Sequence, residues 1–259
     1  MDLGIAGRQA IVCGSSRGLG RACAESLARE GVDIVINGRT AATVELAAKE
    51  LRAQHDVAVT AVVADIDTPD GRAALLAACP TPDILVTNNA GPPPSMFVDN
   101  DLEAWRAALD ANLLAPVLLI QAVIGGMRAR RFGRIVNITS AMVKTPNPMM
   151  TLSVAARLGL TGVTKALSKE VVADNVTINN LLPERFDTDR QRQMAELHMT
   201  LGGVTWDEAR AHQVATIAAG RLGQPRELGD ACAYLCSAQA GYVSGQNLQL
   251  DGGSYEGIF

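Results

Sequence analysis

RQAIVCGSSRGLGRACAESLAREG, residues 8–31, decides the fold. An apolar run ending at Cys13 reads as a buried strand. It gives way to the turn Gly14-Ser15-Ser16-Arg17-Gly18-Leu19-Gly20, then to an amphipathic helix closed by Gly31. Glycines in such a turn let the backbone approach a pyrophosphate, and unpaired N–H groups at the helix start stabilise its charge. Alone, this turn is also compatible with an ordinary tight loop. The strand–turn–helix setting favours dinucleotide binding.

Outward from this unit the pattern repeats. VDIVINGR, VAVTAVVAD, DILVTNNAG, RIVNITS, VTINNLL and QNLQLDGG read as further strands. Between them, TVELAAKELRAQ, GRAALLAAC, a long helix from about Leu102 to Arg130, PMMTLSVAARLGL and a variable helical stretch alternate with the strands. Apolar strands alternating with helices predict an α/β Rossmann fold: a doubly wound parallel sheet of about seven strands, covered by helices on both faces. With no composition shift or repeat, residues 1–259 are expected to form one domain.

The bulk properties exclude several classes. A net charge of −4, with no basic tract, gives no case for nucleic acid. The apolar run Leu113–Ile120 is interrupted by Pro116 and, read alone, is too short to span a bilayer. Five cysteines, odd in number and without CxxC spacing, read as free thiols in a reducing cytoplasm, with no leader segment expected. Cys232 and Cys236 lie one helical turn apart, but no histidine is near in sequence, and no metal site is expected.

The end of the second strand discriminates between cofactors. A carboxylate there would bind an adenosine ribose, whereas this strand ends Asn37-Gly38-Arg39. Arg17 and Arg39 suit a 2′-phosphate, so NADP(H) is expected, with NAD(H) as the alternative. The alternative for each arginine is an ordinary solvated surface position.

These features resemble the short-chain dehydrogenase/reductase family over almost the whole chain, and in kind its 3-oxoacyl-carrier-protein reductase branch. CGSSRGLG is similar to that family's glycine motif, placing Gly14, Ser16, Arg17, Gly18, Leu19 and Gly20 at the cofactor. Asp65 and Ile66 match its adenine-contacting segment, and Asn89, Ala90 and Gly91 in NNAG match the turn beside the nicotinamide ribose. The resemblance further implies cofactor contacts at Pro183, Phe186 and Thr188, and a catalytic set that includes Asn112 and Ser140. It implies a mobile substrate lid near 184–215, a small-molecule substrate, and a homotetramer or homodimer. The segment 220–253, from GRLGQPREL to QLDGG, also matches.

The resemblance breaks at the chemistry. The family's Tyr-x-x-x-Lys motif falls thirteen residues after Ser140, where this chain has Ser153 and Arg157. The variant that places its tyrosine seven residues before the lysine finds Met150, and Pro-Gly after the sixth strand is Pro183-Glu184. Serine at position 153 is shorter and a far weaker acid than a phenol. Arginine at position 157 keeps the positive charge but cannot relay a proton. The i, i+4 spacing still puts both on one helix face. Three readings follow: an oxidoreductase in which Ser140, Ser153 and Arg157 polarise the substrate oxygen; a cofactor-binding protein with little turnover, acting as sensor or partner subunit; or a site whose substrate brings its own acidic group. A purely structural role for Ser153 and Arg157 in helix packing is the alternative to all three.

Elsewhere, GPPPSMF is expected to form a stiff pocket wall or a plain rigid loop. Met194, Met199, Leu201 and Trp206 read as ordinary core. His198 and His212 read as surface residues, and they, like Lys144, are remote candidates for the missing acid.

Overall fold

The computed structural model describes residues 2–258. The strands are β1 (Gln9–Val12), β2 (Asp33–Gly38), β3 (Val59–Val63), β4 (Ile84–Thr87), β5 (Gly133–Ile138), β6 (Val176–Pro183) and β7 (Asn247–Leu250). The helices are α1 (Gly18–Arg29), α2 (Ala41–Gln54), α3 (Pro69–Ala78), α4 (Leu102–Leu109), α5 (Ala115–Ala129), α6 (Thr151–Val171), α7 (Asp189–Gly202), α8 (Trp206–Val214) and α9 (Pro225–Cys236). The sheet runs β3-β2-β1-β4-β5-β6-β7 with every pairing parallel, so the expected seven-stranded Rossmann architecture is present. The chain winds outward in opposite directions from β1 and β4. Loops leaving their carboxyl ends therefore diverge and open a crevice.

Period-two alternation divides the core between the two faces. Ala10, Val12, Ile34, Ile36, Ile84, Val86 and Val136 pack with residues of α1, α2 and α9. Ile11, Val35, Leu85, Ile135 and Ile178 pack instead with Leu75 of α3 and Leu119, Ile120, Val123 and Met127 of α5. The C-terminal segment 220–253 contains α9, started by Pro225 and a capping box between Gln224 and Glu227, and ends in β7. Its Cys232 meets both Cys23 of α1 and Cys236. Hydrogen bonding among these buried thiols, together with desolvation, holds Cys232 and Cys236 well above the usual thiol pKa.

Three differences from the sequence reading have physical causes. The helix predicted over 102–130 carries a π-helical turn at Asp110–Leu114, followed by Pro116, which has no N–H to donate to the preceding turn. The continuous segment Leu102–Ala129 is long and apolar enough to cross a membrane by length and composition, unlike Leu113–Ile120 read alone. It is nevertheless a partly buried core helix, with Leu119, Ile120, Val123 and Met127 under the sheet. The Met/Leu stripe of the lid is not core. Ala195 is the one buried residue of α7 among those described, and Leu197 and Leu201 are exposed. Polar links hold this segment instead: Arg210 to Asp187 at 2.9 Å, and Gln213 Nε2 to the Gln191 carbonyl at 2.8 Å.

Beneath the crevice a polar row crosses four strands. Thr87 Oγ1 donates to Asn137 Oδ1 (2.7 Å), Asn137 Nδ2 to Asn180 Oδ1 (2.9 Å), and Asn180 Nδ2 to Asn247 Oδ1 (2.8 Å). Each pair is also a register pair of its strands. A single-residue slip in β5 would leave these groups unpaired in the interior. Replacing Asn137 by Leu should therefore cost about 2–4 kcal/mol, because it orphans the Thr87 hydroxyl and part of Asn180. Urea unfolding at unchanged m-value measures this; a loss below about 0.5 kcal/mol would show that the row does not set the register.

Candidate active site

A cleft of about 770 Å³ opens at the carboxyl ends of the strands. Its floor begins at the glycine turn, which side chains from neighbouring strands hold in place. Ser15 Oγ donates to the Val12 carbonyl at 2.6 Å and accepts from Asn37 N at 3.0 Å. Asn88 Nδ2 donates to the Gly14 carbonyl at 3.1 Å, and Asn37 Nδ2 donates to the carbonyls of Val62 and Ala64. Sequence reading missed the positioning roles of Ser15 and Asn88. Both sit inside motif strings whose glycines draw attention, and only the folded register shows what their side chains reach.

The start of α1 is left open by its own side chains, as are those of α2 and α6, but only α1 follows the glycine turn. Helices α3, α4 and α8 are capped by Thr68, Asp101 and Thr205 side chains. Helix α1 has no side-chain cap and no acidic residue in its first turn. Its first N–H groups are thus left to an anion. Gly18 adopts φ +59°, and a Cβ there would meet only Thr188 Cγ2 at 4.0 Å, so a side chain would project into the cleft. The turn fits a dinucleotide pyrophosphate. Gly14, Ser16, Arg17, Gly18 and Leu19 line the cleft, with Arg39, Asp65 and Ile66 beyond them. Arg17 and Arg39 are both exposed there. Gly20 does not reach the wall: a Cβ would stand 2.4 Å from the Gly14 carbonyl, so its function is close packing of helix against turn.

At the other end stand Asn89, Ala90, Gly91, Ser140, Ser153, Arg157, Pro183, Phe186 and Thr188. Arg157 is 8% exposed and reaches from α6 across the ends of two strands. Its Nη1 donates to the Ile138 carbonyl (2.8 Å), Nη2 to the Asn89 carbonyl (3.3 Å) and Nε to Ser153 Oγ (3.2 Å). Among the described residues no carboxylate forms an ion pair with it. Desolvation, with a smaller contribution from the like charge of Arg190, pushes its pKa down to about 10, so it remains cationic at neutral pH. Ser140 Oγ accepts from Met142 N at 3.2 Å, which leaves its hydroxyl proton free to donate.

Asn112 is not on the wall. It lies in the π-helical turn and donates from Nδ2 to the Ala90 carbonyl at 3.3 Å. Its buried Oδ1 has no hydrogen-bond partner among the described residues. The proline loop forms part of the wall through Pro94, tethered by Ser95 N to the Met149 carbonyl. Glu184 also faces the cleft, but its carboxylate is paired with Arg185 at 3.0 Å. Arg190 and Met194 of α7 join the lining, which sequence reading missed because tethering of the lid, not local pattern, places them. The remote acid candidates lie elsewhere: His198 and His212 pack ring to ring at 4.9 Å, and Lys144 sits over Tyr255 at 5.3 Å. No tyrosine, lysine, histidine or cysteine is among the cleft-lining residues.

A buried cation without a counter-charge is costly. Because burial lowers the folded pKa, this cost is present at every pH below about 10 and is relieved only as pH rises beyond that value. Arg157→Met, close in length and uncharged, should raise folding stability at pH 7 by about 1 kcal/mol. A lower urea midpoint for this variant would instead mark the guanidinium as a structural brace.

A family profile described as enoyl-(acyl carrier protein) reductase matches residues 14–255. The chain is 30% identical to the 3-oxoacyl-[acyl-carrier-protein] reductase of Vibrio harveyi over 254 residues, 98% of this chain and 99% of that protein. It is also 30% identical to the NADPH-dependent reductase BacG of Bacillus subtilis, over 97% of this chain and 99% of that one. The crystal structure of L-sorbose reductase from Gluconobacter frateurii, complexed with NADPH and L-sorbose, superposes with a TM-score of 0.95 at 29% identity, over 100% of both chains. The chain belongs to the short-chain dehydrogenase/reductase family.

Proposed function

We propose that the protein is an NADP(H)-dependent oxidoreductase interconverting a carbonyl and an alcohol on a small molecule. The observation that carries this reading is one continuous cleft. Its one end is the uncapped α1 turn with Arg17 and Arg39, and its other end gathers Ser140, Ser153 and Arg157. The glycine turn would hold the pyrophosphate, Arg17 and Arg39 the 2′-phosphate, and Asp65 and Ile66 the adenine side. Asn89, Ala90, Gly91, Arg157, Pro183, Phe186 and Thr188 would surround the nicotinamide half. When bound, the cofactor supplies or takes up a hydride.

The residues do the rest through polarity rather than acid strength. Ser140 and Ser153 each accept one hydrogen bond and keep a hydroxyl proton to donate to the substrate oxygen. Arg157 opposes negative charge developing on that oxygen, in a site of low polarity where such an interaction is strong. In this reading Ser153 and Arg157 occupy the positions of the family's tyrosine and lysine. The proton on the alcohol then comes from solvent, and the open acceptor of Asn112 behind Ala90 is suited to orient its delivery. We propose the same homotetrameric or homodimeric assembly that the resemblance implies. Exposed Leu102, Leu114 and Leu118, with Leu158 and Val163 of α6, support an apolar contact on these helices.

A second reading, a cofactor-binding protein with little turnover, is favoured by one observation: the cleft wall carries no phenol, ammonium, imidazole or thiol. Cofactor titration and turnover separate the two. NADPH is expected to bind at least about tenfold tighter than NADH, and Arg39→Ala should remove about tenfold in NADPH affinity while barely changing NADH. Tighter NADH binding would refute the arginine assignment. NADPH oxidation with a panel of ketones and aldehydes is the expected activity; tight cofactor binding without any turnover selects the second reading.

A further inference from the structure

Arg157 is a cation that the protein buries and leaves without a counter-charge. Its three hydrogen bonds go to two carbonyls and one hydroxyl, all neutral, and each terminal nitrogen keeps one N–H beyond them. Such a group is retained against its cost only where something compensates it. Arg134, the more deeply buried arginine, shows what internal compensation looks like here. Arg134 spends four bonds on Gly133, Asn175 and Ser237, rests on the Phe132 ring at 4.5 Å, and lines no part of the cleft. Arg157 instead faces the cleft beside Gly91, where a Cβ would stand 3.5 Å from Nη2.

The other charges nearby do not supply the missing anion. Arg190, lining the same cleft, is a second cation; of the lining carboxylates, Glu184 is paired with Arg185 at 3.0 Å, Asp189 with Arg192 at 3.7 Å, and Asp65 lies at the far end beside Arg39. The cofactor's own 2′-phosphate is out of reach. Arg39 follows β2 and Arg157 spans the ends of β4 and β5, and three strand spacings separate β2 from β5, about 14 Å. The pyrophosphate would stay on the open start of α1 at the glycine turn, and the nicotinamide ribose, which would come nearer Arg157, carries no charge.

We propose that the substrate is itself an acid: an oxo acid, or the corresponding hydroxy acid, whose carboxylate pairs with Arg157 between Ser153 and Gly91. This rests on the oxidoreductase reading above and narrows it. A carboxylate accepts from both terminal nitrogens of one guanidinium, the geometry for which arginine exceeds lysine. Ser153 is short enough to leave room for it, and its hydroxyl adds a donor. The carboxylate is unchanged by the reaction. Hydride from NADPH forms the new C–H bond at the neighbouring carbonyl carbon, the C=O π pair moves to oxygen, and oxygen takes a proton from solvent, giving the hydroxy acid and NADP+. Arg190 at the cleft mouth draws the acid in.

Binding to the NADP+-loaded protein tests this without requiring turnover. Short 2-oxo and 3-oxo acids, from pyruvate and acetoacetate upward, are compared by calorimetry with their methyl esters. At least one acid is expected to bind about tenfold or more tighter than its ester. That preference should vanish in Arg157→Gln and return in part in Arg157→Lys, with both variants checked by circular dichroism and cofactor affinity. If esters bind as well as acids throughout, or if the preference survives Arg157→Gln, the proposal is overturned. Should both variants misfold, Arg190→Gln on the exposed helix must still weaken acid binding and spare ester binding; no such difference also overturns it. Acid binding without NADPH oxidation defeats the oxidoreductase reading and leaves the acid site standing, whereas oxidation of esters in preference to acids does the reverse.

Discussion

Register across β4, β5, β6 and β7 is the constraint on which the site depends. Thr87, Asn137, Asn180 and Asn247 pass a hydrogen bond from strand to strand, and each is the register partner of the next. Apolar packing alone would hold these strands together with less discrimination, since hydrophobic burial is not directional. The amide row makes a slipped register pay in unpaired interior groups. It also meets α6, through Thr164 Oγ1 to Asn180 Oδ1 at 3.4 Å.

That anchorage decides what α6 presents to the cleft. Ser153, Arg157, Thr161, Thr164 and Ser168 recur at spacings of three and four, so they share one buried helix face. Thr161 and Thr164 turn their hydroxyls back onto the helix carbonyls at 2.8 Å, and Thr164 alone of the two also reaches the sheet, at the longer 3.4 Å to Asn180. Arg157 is the member of this face that reaches forward. The carbonyls it uses, Ile138 and Asn89, lie one residue beyond Asn137 and two beyond Thr87 in sequence. The row that fixes the strands therefore fixes the guanidinium, and the cleft charge is set by the sheet as much as by the helix.

Much of this was legible in the sequence, for reasons that differ by element. The strands showed because a parallel sheet covered on both faces needs unbroken apolar runs such as DIVING and DILVT. The glycine turn showed because its backbone demands glycine. The amide row did not: in RIVNITS and VTINNLL the asparagines look like polar interruptions, and only strand pairing reveals them as partners. The lid misled because its Met and Leu residues sit on helices that border the open cleft, where polar tethers rather than a core hold them. Ser153 and Arg157 stood out in the sequence as two polar residues one helical turn apart, yet the lack of an ion-pair partner for Arg157 among the described residues is a three-dimensional fact that no spacing encodes.

The cleft thus uses two cationic stations with different physics. Arg17 and Arg39 are solvated, so each keeps its hydration when no ligand is bound and is screened by salt. Arg157 has already lost its hydration, and the fold carries that cost whether or not a ligand is present. An anion arriving there meets a cation that the fold has already largely desolvated. A reaction that leaves negative charge on oxygen gains in the same way. A cleft lined by serine hydroxyls and a buried guanidinium, with no phenol, ammonium, imidazole or thiol on its wall, offers a field that does not vary with pH until well above neutrality in place of a titrating proton donor. Substrates suited to such a site are those that arrive charged or become charged, and not those that only need a proton.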